Sequence, residues 1–110
     1  VIVLHDVMDF ELAKNYGIVE ISNNIVVNFE EKPASPKSTL ASTGIYLFPK
    51  RTISLIKKYI AQGNNSDRTG IFIEWLHKRD IVYSYVTDKK WYDIGSIEQL
   101  EKANKYYKQK

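Results

Sequence analysis

Residues 18–29 have the sequence Ile18-Val19-Glu20-Ile21-Ser22-Asn23-Asn24-Ile25-Val26-Val27-Asn28-Phe29. Two runs rich in β-branched residues flank Ser22-Asn23-Asn24, and asparagine adopts a positive φ at little cost. The stretch therefore predicts a β-hairpin, in which two antiparallel strands are joined by a tight turn.

Further strands are predicted on both sides of this hairpin, because apolar runs of strand length precede and follow it. They are Val1–Val7, Leu40–Phe48 and Ile81–Thr87. A loop is predicted from Pro33 to Lys37, and another from Asn64 to Gly70.

Four helical segments are predicted between and after these strands. The first is a single turn within Asp9–Asn15. The second opens with Pro49-Lys50, carries Ile53, Ile56 and Ile60 at helical spacing, and ends at Gly63. The third places Ile71, Phe72, Trp75 and Leu76 on one face. The fourth begins with a capping box of Ser96 and Gln99 and carries an apolar stripe of Ile97, Leu100, Ala103 and Tyr107.

Strands that alternate with helices after one hairpin predict an α/β fold with a mixed sheet and flanking helices.

Composition limits the classes of protein that this chain can represent. The 110 residues, 44% of them hydrophobic, are enough for one domain with a core. A formal charge of +3 is too small to indicate nucleic acid. The absence of cysteine excludes a disulfide framework and fits a cytoplasmic protein. No apolar stretch approaches the roughly 18 to 20 residues that span a membrane, so we expect no membrane partner.

Four short motifs contain the residues best suited to chemistry. They are Tyr16-Gly17, Glu31-Lys32-Pro33, Ser42-Thr43-Gly44-Ile45-Tyr46 and Trp91-Tyr92-Asp93-Ile94-Gly95. Each has an ordinary structural explanation when it is taken alone, such as a glycine at a turn or a solvated pair of charges. A carboxylate can accept hydrogen bonds from hydroxyls, and an ammonium can neutralise a phosphate. Glu31 and Lys32 offer this pair of groups.

In this order, the motifs resemble the C-terminal half of sugar-phosphate nucleotidyltransferases, which form an NDP-sugar and pyrophosphate from a nucleoside triphosphate and a sugar 1-phosphate. The resemblance implies that the sugar is bound by Tyr16, Gly17, Glu31, Ser42, Thr43 and Gly44, where many members carry an asparagine at the position of Ser42. It implies that Lys32 binds the sugar-bound phosphate. It also implies that Asp93 binds the catalytic Mg²⁺, and that Lys32 and Asp93 are the catalytic residues. Mg²⁺ prefers oxygen ligands and few protein carboxylates, which a single aspartate from this chain fits.

The resemblance also implies an incomplete Rossmann-like (GT-A-like) fold. Members of the family hold the triphosphate with a glycine-rich loop, and the glycines of this chain lie too far apart to form one. The chain begins with Val1 inside an apolar run. We therefore expect residues 1–110 to be the C-terminal, sugar-phosphate-binding part of a catalytic domain. We expect this part to be inactive alone and to self-associate through strand edges near Val1–Val7 or Leu40–Phe48.

Two alternatives from other functional classes remain open. The chain could be a non-catalytic regulatory or scaffolding module of the same fold, although it carries Glu31, Lys32 and Asp93. It could also be a small basic binding domain that uses Tyr106, Tyr107 and the C-terminal lysines. Those lysines surround a helix whose other face is apolar, which is typical of a solvated surface helix. We therefore expect no nucleic-acid partner.

Overall fold

The computed structural model describes residues 1–64 and 68–108. Within these ranges the chain forms five strands and four helices. In chain order they are β1 (Ile2–Asp6), α1 (Phe10–Ala13), β2 (Gly17–Ser22), β3 (Ile25–Glu31), β4 (Leu40–Tyr46), α2 (Thr52–Ala61), α3 (Thr69–Leu76), β5 (Ser84–Thr87) and α4 (Ile97–Lys108).

The five strands form one sheet in the order β3-β2-β4-β1-β5. The pairs β3–β2, β2–β4 and β4–β1 are antiparallel, whereas β1 and β5 are parallel. The predicted mixed sheet with flanking helices is therefore confirmed. Hairpin β2–β3 lies at one edge of the sheet, and β5 lies at the other.

The predicted hairpin is confirmed, together with its turn. Asn23 and Asn24 have φ angles of 50° and 63°, the left-handed values that a two-residue hairpin loop of this type requires. In this register Gly17, the first residue of β2, pairs with Glu31, the last residue of β3. The hairpin thus brings the Tyr16-Gly17 motif beside the Glu31-Lys32-Pro33 motif.

The main core lies between the sheet and helices α2 and α3. Its largest fully buried side chains include Phe29, Ile2 and Leu4 from the strands and Ile73 from α3. Tyr59 of α2 also belongs to this core, where its ring meets those of Phe72 and Trp75 at centroid distances of 5.2 and 5.3 Å. The prediction that Phe72, Trp75 and Leu76 pack inward is confirmed, since Phe72 and Leu76 are buried and Trp75 packs against the core.

Helix α2 is present, but it begins at Thr52 and not at Pro49-Lys50, and its predicted apolar face was partly wrong. Ile53 and Ile60 are 52% and 54% exposed, whereas Tyr59 is only 3% exposed. The large Tyr59 ring occupies the contact with α3, and this turns the two isoleucines toward solvent. Gly63 follows the helix with a φ of 78°, as expected of a glycine at a helix end.

Helix α3 begins at Thr69, so the loop predicted from Asn64 to Gly70 was too long at its C-terminal end. Residues 65–67 of that loop lie outside the described residues. The error placed Gly70 in a loop, whereas it belongs to the first turn of a helix that packs on β3.

Helix α4 has one of the two hydrogen bonds of the predicted capping box, in which the Gln99 backbone N–H donates to the Ser96 hydroxyl over 3.2 Å. Its apolar stripe is not a buried face: Ala103 is 5% exposed, but Ile97 is 76% exposed. None of the helices in the described part of the chain has the length and apolarity needed to cross a membrane.

Candidate functional site

A pocket of about 240 Å³ opens where the start of β2, the end of β3 and the middle of β4 meet. The stretch that follows β5 and the first turn of α3 complete its wall. The residues that line it are Asn15, Tyr16, Gly17, Phe29, Glu31, Ser42, Thr43, Gly44, Tyr46, Gly70, Trp91 and Asp93. Residues from all four sequence motifs therefore line one pocket.

All but one of the residues that the sequence singled out line this pocket. Those that do are Tyr16, Gly17, Glu31, Ser42, Thr43, Gly44 and Asp93. Lys32 is the exception. Its side chain is exposed, its φ of 46° turns the chain out of the strand, and its backbone N–H donates to the Tyr16 carbonyl over 3.0 Å. The ammonium of Lys32 is therefore outside the pocket wall, one residue beyond Glu31.

The space above Gly17 is filled by two side chains of β3. A Cβ at Gly17 would lie 2.8 Å from Cζ of Phe29 and 3.1 Å from Oε2 of Glu31. The resemblance implies that Gly17 contributes to sugar binding. In the structure, the absence of a side chain at Gly17 makes room for the Phe29 ring and the Glu31 carboxylate.

Strand β4 bulges where it lines the pocket. Its register with β1 shifts between Ser42 and Tyr46, and Gly44 has a φ of 84°, which side-chain-bearing residues rarely adopt. The Thr43 hydroxyl donates to the Val3 carbonyl over 2.9 Å. The hydroxyls of Ser42 and Tyr46 are 3.1 Å apart and share a hydrogen bond. The bulge thus presents three hydroxyl groups along one wall of the pocket.

Asp93 lies on an exposed stretch that aromatic contacts hold beside β2. The Trp91 ring meets the Tyr16 ring edge-on at 5.3 Å and lies 5.6 Å from the ring of His5. Burial raises the pKa of the Tyr16 hydroxyl, and the negative charge of Asp93 raises this pKa further. Tyr16 therefore remains a neutral hydrogen-bond donor throughout the physiological pH range, close to the Asp93 carboxylate.

Two carboxylates, Glu31 and Asp93, line the pocket. Across residues 1–64 and 68–108, no three histidine or acidic side chains cluster closely enough to hold a metal ion. A cation bound at Asp93 would thus take further ligands from outside the described residues. Mg²⁺ tolerates this arrangement, because it commonly binds through one or two carboxylates together with phosphate oxygens.

Sequence reasoning missed several residues of the pocket wall. Phe29 was assigned only to a strand, and Gly70 only to a loop. Tyr46 could have been found, because it lies four residues after Ser42 in the same strand, and side chains at that spacing share a face. Nothing local marks Gly70, because its contact with Glu31 joins two elements that are distant in sequence.

The model of the nucleotidyl transferase family matches residues 1–110. The chain belongs to the nucleotidyl transferase family. This family membership confirms the resemblance inferred from the four motifs.

Solved structures show the same fold. The chain is similar to a Bacillus anthracis protein assigned as a glucose-1-phosphate thymidylyltransferase, in complex with sucrose, at 30% identity and a TM-score of 0.78. It also resembles a UDP-glucose pyrophosphorylase complexed with UDP-glucose, at 24% identity and a TM-score of 0.73. The two matches cover 96% and 99% of this chain, but only 42% and 44% of those proteins. The chain thus spans less than half the length of either protein.

Proposed function

We propose that the protein containing this chain forms an NDP-sugar and pyrophosphate from a nucleoside triphosphate and a sugar 1-phosphate. Residues 1–110 would form the part of the catalytic domain that binds the sugar 1-phosphate. The protein would act in the cytoplasm. The observation that supports this most strongly is the convergence of all four motifs on one pocket, in a chain of the nucleotidyl transferase family.

The pocket has the hydrogen-bonding groups that a sugar ring requires. Glu31 accepts hydrogen bonds from sugar hydroxyls, while Ser42 can donate as well as accept. Because the Thr43 hydroxyl already donates to the Val3 carbonyl, it is left to accept from the sugar. The backbones of Gly17 and Gly44 and the Tyr16 hydroxyl complete the polar wall.

The reaction joins an oxygen of the sugar phosphate to the α-phosphorus of the triphosphate and releases pyrophosphate. Positioning and charge neutralisation provide most of the catalysis in such a transfer. Lys32 would neutralise the sugar-bound phosphate from the rim of the pocket. Asp93 would be a ligand of Mg²⁺, which supplies positive charge to the phosphate oxygens when it is bound.

Lys32→Ala is expected to weaken binding of glucose 1-phosphate by about tenfold or more, because a charge-assisted contact with phosphate is lost. The affinity is measured by titration calorimetry on the complete protein. Lys37→Ala is the matched control, since Lys37 is an exposed lysine five residues further along the same loop. Equal losses in the two variants would show a nonspecific charge effect and contradict the assignment of Lys32.

We also propose that the 110-residue chain self-associates through β4. This strand lies inside the sheet between β2 and β1, but among the described residues it pairs with β2 only where Ala41 lies opposite Ile18. Ile45, further along β4, is 54% exposed. Unpaired strand edges favour association. Light scattering is expected to show a dimer or larger assembly, which Ile45→Lys weakens and Ile53→Lys on α2 does not. A strict monomer at high concentration would contradict the proposal.

A further inference from the structure

Gly70, which the sequence placed in a loop, contacts the two side chains that also cover Gly17. A Cβ at Gly70 would lie 2.8 Å from Oε2 of Glu31 and 3.0 Å from Cε1 and Cζ of Phe29. Real Cβ atoms essentially never approach other heavy atoms more closely than about 3 Å, because interiors are packed at van der Waals separation. A side chain at Gly70 would therefore force the carboxylate, the ring or the helix to move.

Space, and not backbone conformation, is what requires a glycine at this position. Among the described glycines, Gly44 and Gly63 have positive φ angles, whereas Gly70 does not. Glycine within a helix costs about 1 kcal/mol relative to alanine. Gly70 lies at the second position of α3, where alanine would satisfy the backbone equally well. The helix therefore gains nothing of its own from this glycine.

The two neighbours of Gly70 differ in how they can respond to a larger side chain. Phe29 is 1% exposed and packs in the core, so its ring is the harder of the two to displace. Glu31 is exposed and lines the pocket, so its carboxylate is the group that can be displaced. Among the described residues at the start of α3, Arg68 makes no side-chain cap hydrogen bond and the first turn contains no acidic residue.

We propose that Gly70 is a positioning residue for sugar binding. Because it has no side chain, it leaves free the space that the Glu31 carboxylate occupies in the pocket. The proposal rests on the proposed function, in which Glu31 accepts hydrogen bonds from sugar hydroxyls. Gly70 lines the same pocket, and in this proposal it acts on the sugar through Glu31. Gly70 therefore determines the position of the Glu31 carboxylate. That position in turn determines which sugar hydroxyl the pocket can recognise.

A double-mutant cycle on the complete protein tests this role, with glucose 1-phosphate as the probe and calorimetry as the measurement. Gly70→Ala is expected to raise the Kd about tenfold or more, the effect of losing a hydrogen bond to a charged group. In a Glu31→Ala background the same change is expected to alter the Kd by less than about twofold, because contacting residues are not additive. Equal effects in both backgrounds would overturn the proposal.

A measurement without ligand separates this inference from the proposed function. Scalar couplings report the side-chain rotamer of Glu31 by NMR, and Gly70→Ala is expected to change them. Gly95→Ala is the matched control and leaves them unchanged, because nothing lies within 4 Å of a Cβ there. Unchanged couplings in Gly70→Ala would overturn the inference alone. Changed couplings with an unaltered Kd would overturn the sugar-binding role of Glu31, and the inference with it.

A second variant keeps the test informative if Gly70→Ala fails to fold. Phe29→Leu removes the ring atoms that lie 3.0 Å from the new Cβ and leaves the contact with Glu31. Gly70→Ala in the Phe29→Leu background is then compared with Phe29→Leu alone. A Kd about tenfold higher in the double variant is the expected result, and an equal Kd would overturn the proposal.

Discussion

Asp93→Ala, in the complete protein, is expected to slow pyrophosphate release by about a hundredfold or more while the fold is retained. Loss of groups that only orient metal ligands already costs 10- to 100-fold, and loss of a single charge-stabilising donor costs about 10²- to 10³-fold. Asp93 is exposed, so the substitution opens no cavity in the core. Turnover is measured by pyrophosphate release with Mg²⁺, a nucleoside triphosphate and glucose 1-phosphate.

Two further variants sharpen this test of Asp93. Asp93→Asn is expected to retain more activity than Asp93→Ala, because an amide oxygen still acts as a weak metal ligand. Asp88→Ala is the control: Asp88 is exposed, lies five residues earlier and does not line the pocket. We expect the 110-residue chain by itself to release no pyrophosphate. Undiminished turnover in Asp93→Ala would contradict the metal assignment but would leave the family membership intact.

The second large effect concerns stability, and Phe29→Ala is expected to lower the free energy of unfolding by about 3–5 kcal/mol. Phe29 is 1% exposed and lies in the core cluster. Its ring packs against both Gly17 and Gly70. A typical domain has only about 5–15 kcal/mol of stability, so this loss is a large part of the total. Urea denaturation provides the measurement.

Phe10→Ala is the matched control for Phe29→Ala. Phe10 is 57% exposed on α1, so its removal is expected to change the free energy of unfolding by less than about 1 kcal/mol. Similar losses in the two variants would mean that burial does not govern the contribution of Phe29, and that the core has been placed incorrectly.

The sequence predicted local features of the fold better than contacts between distant elements. The β2–β3 hairpin was predictable because its turn residues, Asn23 and Asn24, carry the signal themselves. The buried face of α2 was not, because Tyr59 faces inward in response to rings on α3. Ile97 on α4 shows the same limit, since helical spacing identifies an apolar stripe but not the surface that covers it.

The pocket shows the same division between local and distant information. The motifs identified most of the residues that line it. Lys32 is the predicted site residue that does not line the pocket, and its left-handed backbone turns the chain out of the strand beyond Glu31. Glycine at position 70 could not be interpreted in advance. The role proposed for Gly70 depends on its contact with the Glu31 carboxylate. This contact forms only when α3 packs on β3. The binding and metal roles of these residues remain predictions.

The parallel pairing of β5 with β1 has a consequence for the order in which the pocket is assembled during folding. Tyr16, Glu31 and Ser42 lie close together in the chain, so the contacts among their strands close short loops. Asp93 depends instead on the pairing that joins residues 2–5 to residues 84–87, which has the greatest sequence separation in the sheet. Closing longer loops costs more entropy and slows folding. The wall that carries Tyr16, Glu31 and Ser42 is therefore expected to form early, and the Asp93 side is expected to form after β5 has paired with β1.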